Sequence, residues 1–355
     1  MSRASPMERK PGAVDVVPSF LALRPESAGA PRANVPAERP LAFPAIDVLS
    51  LLARKLPPRE LLLDPWLRTK GLVMIHAWRG VGKTFVGLGI LFALWTRGEF
   101  LRWKASRPCR VLLIDGEMDA ESLQDRLREL IEADDRDIDV PSANFQIIAA
   151  DMLDGGAPDL SNPQHQAELQ RVIDLLDPEV IICDNIATLV RSEQSESDDQ
   201  SWVEAQAWSL QMRRQGRAVI WIHHSNKSGS QRGTSKREDV LNVVINLRRP
   251  SDYKPEQGAR FEVHFEKARG IFGGNVESFE AWLKPDERGG RSRWHVNGLS
   301  SLRDRIRELD AQGVLHAEIA RQLGCNPGTV SKAVGKSAKA ATAKPSRRAK
   351  RQRNA

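Results

Sequence analysis

Eight consecutive residues, Ala77-Trp78-Arg79-Gly80-Val81-Gly82-Lys83-Thr84, set two glycines, a lysine and a threonine behind the apolar run Leu72–His76. That order suits a phosphate chain. Gly80 and Gly82, with Val81 between them, let the backbone curl so that its N–H groups surround anionic oxygens at a helix start. Lys83 would reach the β and γ phosphates, and the Thr84 hydroxyl would hold Mg2+. The glycine that usually opens such a loop is Ala77 here, a change that removes no phosphate-binding group.

Two acidic positions would complete a hydrolytic site. Asp184 closes the apolar run Val180–Asp184, about where a Mg2+-organising carboxylate belongs. Glu117 follows the run Val111–Asp115, and it could orient or deprotonate an attacking water if that run is a strand beside the phosphate-loop strand. Asp115, Asp119 and Glu121 are close rivals for this role. His223 closes the run Ala218–His223 and His224 follows it, where a buried, hydrogen-bonding histidine is as reasonable as a ligand sensor. Neither a Cys nor an acid completes a zinc site there.

These residues must be positioned by regular elements. The runs 72–76, 111–115, 145–149, 180–184 and 218–223 are short and apolar, as strands buried on both faces are. Helical patterns lie between them at 84–95, 120–133, 162–176 and 200–215. The alternation predicts an α/β core with a mostly parallel sheet. Residues 260–267 and 276–283 alternate apolar with polar, as antiparallel edge strands do, and 289–297 reads as a last strand and linker.

The order AWRGVGKT, VLLIDGEMDAESLQDRL, VIICDN, VIWIHHSNKSGSQRGTS and FEKARG resembles the RecA-like ATPases of the DnaB helicase superfamily, RepA-type plasmid helicases above all. The likeness covers about 60–285 and implies a P-loop NTPase that uses ATP and Mg2+. It favours Glu117 as the catalytic glutamate and gives His224 the role of sensing the γ-phosphate. It makes Lys267 and Arg269 a finger into the neighbouring subunit's ATP, and so implies a homo-oligomeric ring, a hexamer. It also places Lys227, Arg232, Lys236 and Arg237, in the polar stretch after His224, on single-stranded DNA in the ring channel. That stretch lacks aromatic stackers, so its grip should be largely electrostatic.

Farther on, AEIARQLGCNPGTVSKAV is similar to the helix-turn-helix of resolvases, a small all-α unit whose Asn326, Thr329, Ser331 and Lys332 would face duplex DNA. A three-helix protein-docking unit would share this pattern. The expected organisation is a disordered segment over 1–45, a RecA-like ATPase domain over 46–299, the helix-turn-helix over 300–335 and a basic disordered tail over 336–355.

Charge follows the same boundaries. The chain has 355 residues, a net charge of +7 and a pI near 9.5. Residues 336–355 carry eight Lys/Arg and no acid, 1–45 carry +2 and 301–335 carry +1, which leaves 46–300 at −4. Three scattered cysteines exclude a disulfide scaffold, and the longest apolar run, 86–95, is half a membrane span. No apolar stretch follows the N-terminal charges as in a secretory signal, so a soluble, cytoplasmic protein is expected. The function expected is an ATP-hydrolysing DNA motor, a RepA-type replicative helicase of a plasmid, phage or integrated element. The alternatives are an ATP-switched DNA-binding regulator or partition-like factor without unwinding, and, with idle DNA elements, a small-molecule kinase.

Overall fold

The computed structural model describes residues 43–191, 198–225, 238–285, 291–299 and 302–334. The chain divides into two units, 1–57 and 58–355. In the first, helix α1 (Val48–Ala53) begins at Asp47, whose carboxylate accepts the Ser50 N–H at 2.9 Å, and none of its residues is buried. The expectation of disorder over 1–45 falls mostly outside the described residues, as does the basic tail.

The second unit runs β1 (Leu61–Asp64), β2 (Leu67–Arg68), β3 (Leu72–Ala77), α2 (Lys83–Thr96), β4 (Glu99–Phe100), β5 (Trp103–Ala105), β6 (Val111–Asp115) and α3 (Ala120–Ala133). It continues through β7 (Phe145–Ala149), α4 (Pro163–Leu176), β8 (Val180–Asp184), α5 (Ile186–Leu189), α6 (Asp198–Arg214) and β9 (Ala218–His224). Last come β10 (Val243–Arg248), β11 (Arg260–Ala268), β12 (Phe279–Pro285), β13 (Ser292–Gly298), α7 (Leu302–Ala311), α8 (His316–Gln322) and α9 (Pro327–Val334).

Nine strands form one sheet in the order β13-β12-β11-β10-β3-β9-β8-β6-β7. The pairs from β10 to β7 are parallel, and β11, β12 and β13 extend the sheet antiparallel. The five apolar runs are all strands of the parallel part. Successive residues of each feed opposite faces: Val73 and Ile75 join one core and Leu72 and Met74 the other, as Val111 and Leu113 oppose Leu112 and Ile114. Two-sided burial is why four of these runs lack polar alternation; the edge strand β7 departs from that expectation, since only Ala149 of it is fully buried and Ile147 is exposed.

Helix α2 is apolar on every side and almost wholly buried against the sheet. Its Gly89 is required by close approach, since a Cβ there would lie 2.2 Å from the Phe100 ring.

Three features depart from expectation. The run Val243–Arg248, not read as a strand, is the interior strand β10 beside β3; buried Asn246 interrupts its apolar pattern, and its amide donates to Glu266 at 2.7 Å. A separate four-stranded antiparallel sheet, β2-β1-β5-β4, was also not anticipated, because its strands are only two to four residues long. Most consequential, β6 does not neighbour β3: β9 and β8 lie between them. The condition set for Glu117 therefore fails as stated, and its position depends on β8 instead.

Helices α7, α8 and α9 share a small core of Ile306, Ile319, Ala320, Val330 and Ala333. Among the described residues no helix is long and apolar enough to cross a membrane.

Candidate active site

Strand β3 delivers the chain to the site at Ala77, and the turn back into α2 needs positive φ at Gly80 (73°) and Gly82 (124°). L-residues with a Cβ avoid the latter conformation, and a Cβ on Gly82 would also press on the Phe261 ring at 3.2 Å. Gly82 caps α2 without a side chain, so the first-turn N–H groups are left for an outside acceptor. Lys83 is buried, its Nζ donating to the carbonyls of Ala77 (3.1 Å) and Trp78 (3.2 Å). Burial pulls its pKa down to about 8, against the opposing pull of Asp184 and Glu117.

Asp184, at the end of β8, is buried and hydrogen-bonded to the Thr84 hydroxyl. Burial, and then the neighbouring Asp115, push its pKa up to about 7. Asp115 stands in register with it on β6. One Asp115 oxygen accepts the N–H groups of Glu117 (3.0 Å) and Met118 (2.8 Å), and the other is buried with no hydrogen-bond partner.

Asp184 and Glu117 thus share one lysine, with Asp115 beside Asp184, an arrangement that a cation would relieve. The hard oxygens of Thr84 and Asp184 fit Mg2+ and would hold it. Among the described residues no group of three or more His, Cys, Asp or Glu side chains is placed to hold a metal ion by itself.

Glu117 reaches the site because β6 pairs with β8. Its Oε2 accepts from the Asn185 side-chain amide and lies 3.3 Å from His224 Nε2. His224 sits opposite Ala77 in the β3–β9 register, and burial, then Lys83, lowers its pKa. His223 is buried in the strand. The rivals of Glu117 have other partners: Asp119 caps α3 through the Ser122 N–H at 2.7 Å, Glu121 is exposed in its first turn, and Asp115 braces the loop.

Lys267 and Arg269 are not brought to this cluster. Antiparallel pairing sets Lys267 opposite Val244, at the end of the sheet away from Ala77. Lys267 Nζ donates to the Glu238 carbonyl and Arg269 to that of Asp239 at 2.9 Å. Burial, then Arg269, lowers the Lys267 pKa.

Lys227, Arg232, Lys236 and Arg237 lie outside the described residues. Asn326, Thr329, Ser331 and Lys332 are exposed, while Val330 and Ala333 on the same helix are buried. The Asn326 carboxamide accepts the Gly328 N–H at 2.8 Å, and the Ser331 hydroxyl donates to the Pro327 carbonyl at 3.2 Å.

Several residues at or near the site went unread in the sequence. Arg249 donates to the Gly80 carbonyl at 3.1 Å while lying over the Tyr253 ring at 4.2 Å. His76, fully buried on β3, joins Ser225 (2.8 Å) to Glu266 (2.9 Å). The hydrogen bond from His76 holds Glu266 down at about 2, with Asn246 adding to it. Asn185, which directly follows Asp184, touches both Glu117 and His224. Only the paired polar ends of apolar strands could have signalled these residues.

The family model of the AAA domain matches residues 37–230, more than half of the chain. The chain belongs to the AAA domain family. No curated protein matches its sequence. Among solved structures, a KaiC-like protein from the hyperthermophilic archaeon Pyrococcus horikoshii OT3 is similar at a TM-score of 0.46 and 11% identity, over 65% of this chain and 93% of that one. Family membership and the loop–helix geometry make this AAA domain protein a P-loop ATPase.

The buried carboxyl of Asp184 gives a pH-dependent test. Its pKa is about 7 when folded against an ordinary 3.8, so its ionisation opposes folding. The penalty is absent below the lower value and complete above the higher one. Asp184→Asn should therefore raise the melting temperature of nucleotide-free protein more at pH 8 than at pH 5. Equal gains at both, followed by calorimetry, would show that Asp184 is not held protonated.

Proposed function

We propose that this ATPase is a DNA-dependent motor, a RepA-type replicative helicase working as a homo-oligomeric ring on single-stranded DNA. The observation that carries the reading is the contact between Glu117 and His224. His224 lies three residues before Lys227, at the head of the cationic stretch Lys227–Arg237. A change at the γ-phosphate felt by Glu117 and His224 is thereby delivered to the segment that would hold the DNA.

In this reading Gly80, Val81 and Gly82 present N–H groups to the phosphates, and Lys83 neutralises the β and γ oxygens. Thr84 and Asp184 would hold Mg2+, which would supply further charge neutralisation at the phosphates. Glu117 accepts the proton of the attacking water. Lys267 and Arg269, away from their own site, would serve the neighbouring subunit's ATP, where a planar guanidinium spreads over the developing phosphate charge. The α7–α9 unit would read duplex DNA through Asn326, Thr329, Ser331 and Lys332.

ATP turnover should rise several-fold with single-stranded DNA, and Lys83→Ala and Glu117→Gln should each abolish it, as a phosphate-release assay would record. Turnover indifferent to DNA at every protein concentration would count against a motor.

The exposed polar face of α9 favours a second reading, an ATP-switched duplex-binding regulator. Such a protein would bind duplex in an ATP-dependent way and displace no strand.

The charge partition gives a separate test. Deleting 336–355 removes eight cations, so the dependence of duplex affinity on salt should flatten while DNA-free hydrolysis stays near its starting rate. Loss of hydrolysis would make the tail part of the motor.

A further inference from the structure

Glu117 is more than half exposed and sits on a loop, a poor arrangement for a group that must aim one oxygen at a water. Three constraints fix it. Asp115 accepts the backbone N–H groups of Glu117 and Met118. The Gly116 N–H donates to the Asp184 carbonyl at 2.7 Å, and a Cβ on Gly116 would lie 2.5 Å from Thr188 Oγ1, so the loop is seated on the start of α5. Asn185 then holds the carboxylate itself.

The Asn185 amide has only one workable orientation. Its Oδ1 accepts the Ala187 N–H at 2.9 Å, capping α5, and Thr188 returns a bond to the Asn185 N–H at 3.3 Å. Oxygen is therefore committed to the helix, and the NH2 group necessarily faces Glu117, whose carboxylate can only accept. The same Nδ2 lies 3.2 Å from His224 Nε2. Both neighbours meet Glu117 at Oε2, which leaves Oε1 as the oxygen available to a water.

We infer that Asn185 is a positioning residue for hydrolysis: capped in place by α5, it orients the Glu117 carboxylate and presents Oε1 to the attacking water. This rests on the reading of Glu117 as the water-activating base. Because Asn185 adjoins Asp184 in the chain, it ties the carboxylate that would face Mg2+ to the one that would face water.

The cap and the amide can be separated. Serine caps a helix about as well as asparagine but is too short to reach Glu117 and has no NH2 group. In Asn185→Ser, kcat for ATP should fall roughly 10- to 100-fold, the range for a misaimed catalytic group. KM for ATP and the melting temperature should stay near wild type. Asn185→Asp also keeps a cap but turns an acceptor toward Glu117, and it should lose at least as much kcat. Glu117→Gln belongs in the same assay. If it retains activity, the reading of Glu117 fails. If it is inactive while Asn185→Ser turns over at or above the wild-type rate, Asn185 does not position it. If kcat, nucleotide affinity and melting temperature fall together in both Asn185 variants, its role is structural and the inference is overturned.

Discussion

The site depends on burying opposite charges that neither strand end could bury alone. Lys83 without Asp184 and Glu117 would be a desolvated cation, and Asp184 without Lys83 and Thr84 a desolvated carboxylate. Even together they are imperfectly balanced: Lys83 is drawn down to about 8 and Asp184 pushed up to about 7, each toward its neutral form. A polyphosphate with a divalent cation supplies the charges that both lack. The strand order follows from this need. With β9 between β3 and β8, and β6 beyond, the carboxyl ends of all four strands converge on one edge, bringing Ala77, His224, Asp184 and Asp115 to the same rim.

The loop was legible because its chemistry is local. Gly80, Gly82, Lys83 and Thr84 are consecutive or nearly so, and the apolar runs around them reveal strands buried on both faces. The acids Asp184 and Glu117 could be read from strand ends, but not how they come together, since pairing order is not written in any one run. Glu117 was expected beside β3 and instead reaches the site through β8. Strand β10 was hidden by Asn246, a buried polar residue whose NH2 group donates to Glu266 across the β10–β11 pair. Asn185 was hidden for a similar reason: a residue after a metal-facing Asp reads as a cap, and its second partner comes from 68 positions earlier in sequence.

A second polar system braces the other side of β3. Ser225, His76 and Glu266 join the ends of β9, β3 and β11, and Asn246 and Arg248 secure Glu266 from β10. The polar stretch after Ser225 thus leaves a strand fixed on one side by His224 at the nucleotide site and on the other by His76. At its far end Lys267 and Arg269 hold the carbonyls of Glu238 and Asp239. The acidic charge of −4 over 46–300 means that any grip on nucleic acid by this body comes from a local cluster of cations, with bulk attraction left to the tail.

The central claim is that the nucleotide site and the cationic stretch are linked through His224. The direct test is the affinity for a single-stranded oligonucleotide, measured with a non-hydrolysable ATP analogue and again with ADP, in wild type and in His224→Ala. Coupling predicts a wild-type ratio between the two states of about 10 or more, within the usual range for linked sites, and a ratio near one in the variant. Equal ratios in both proteins would contradict it.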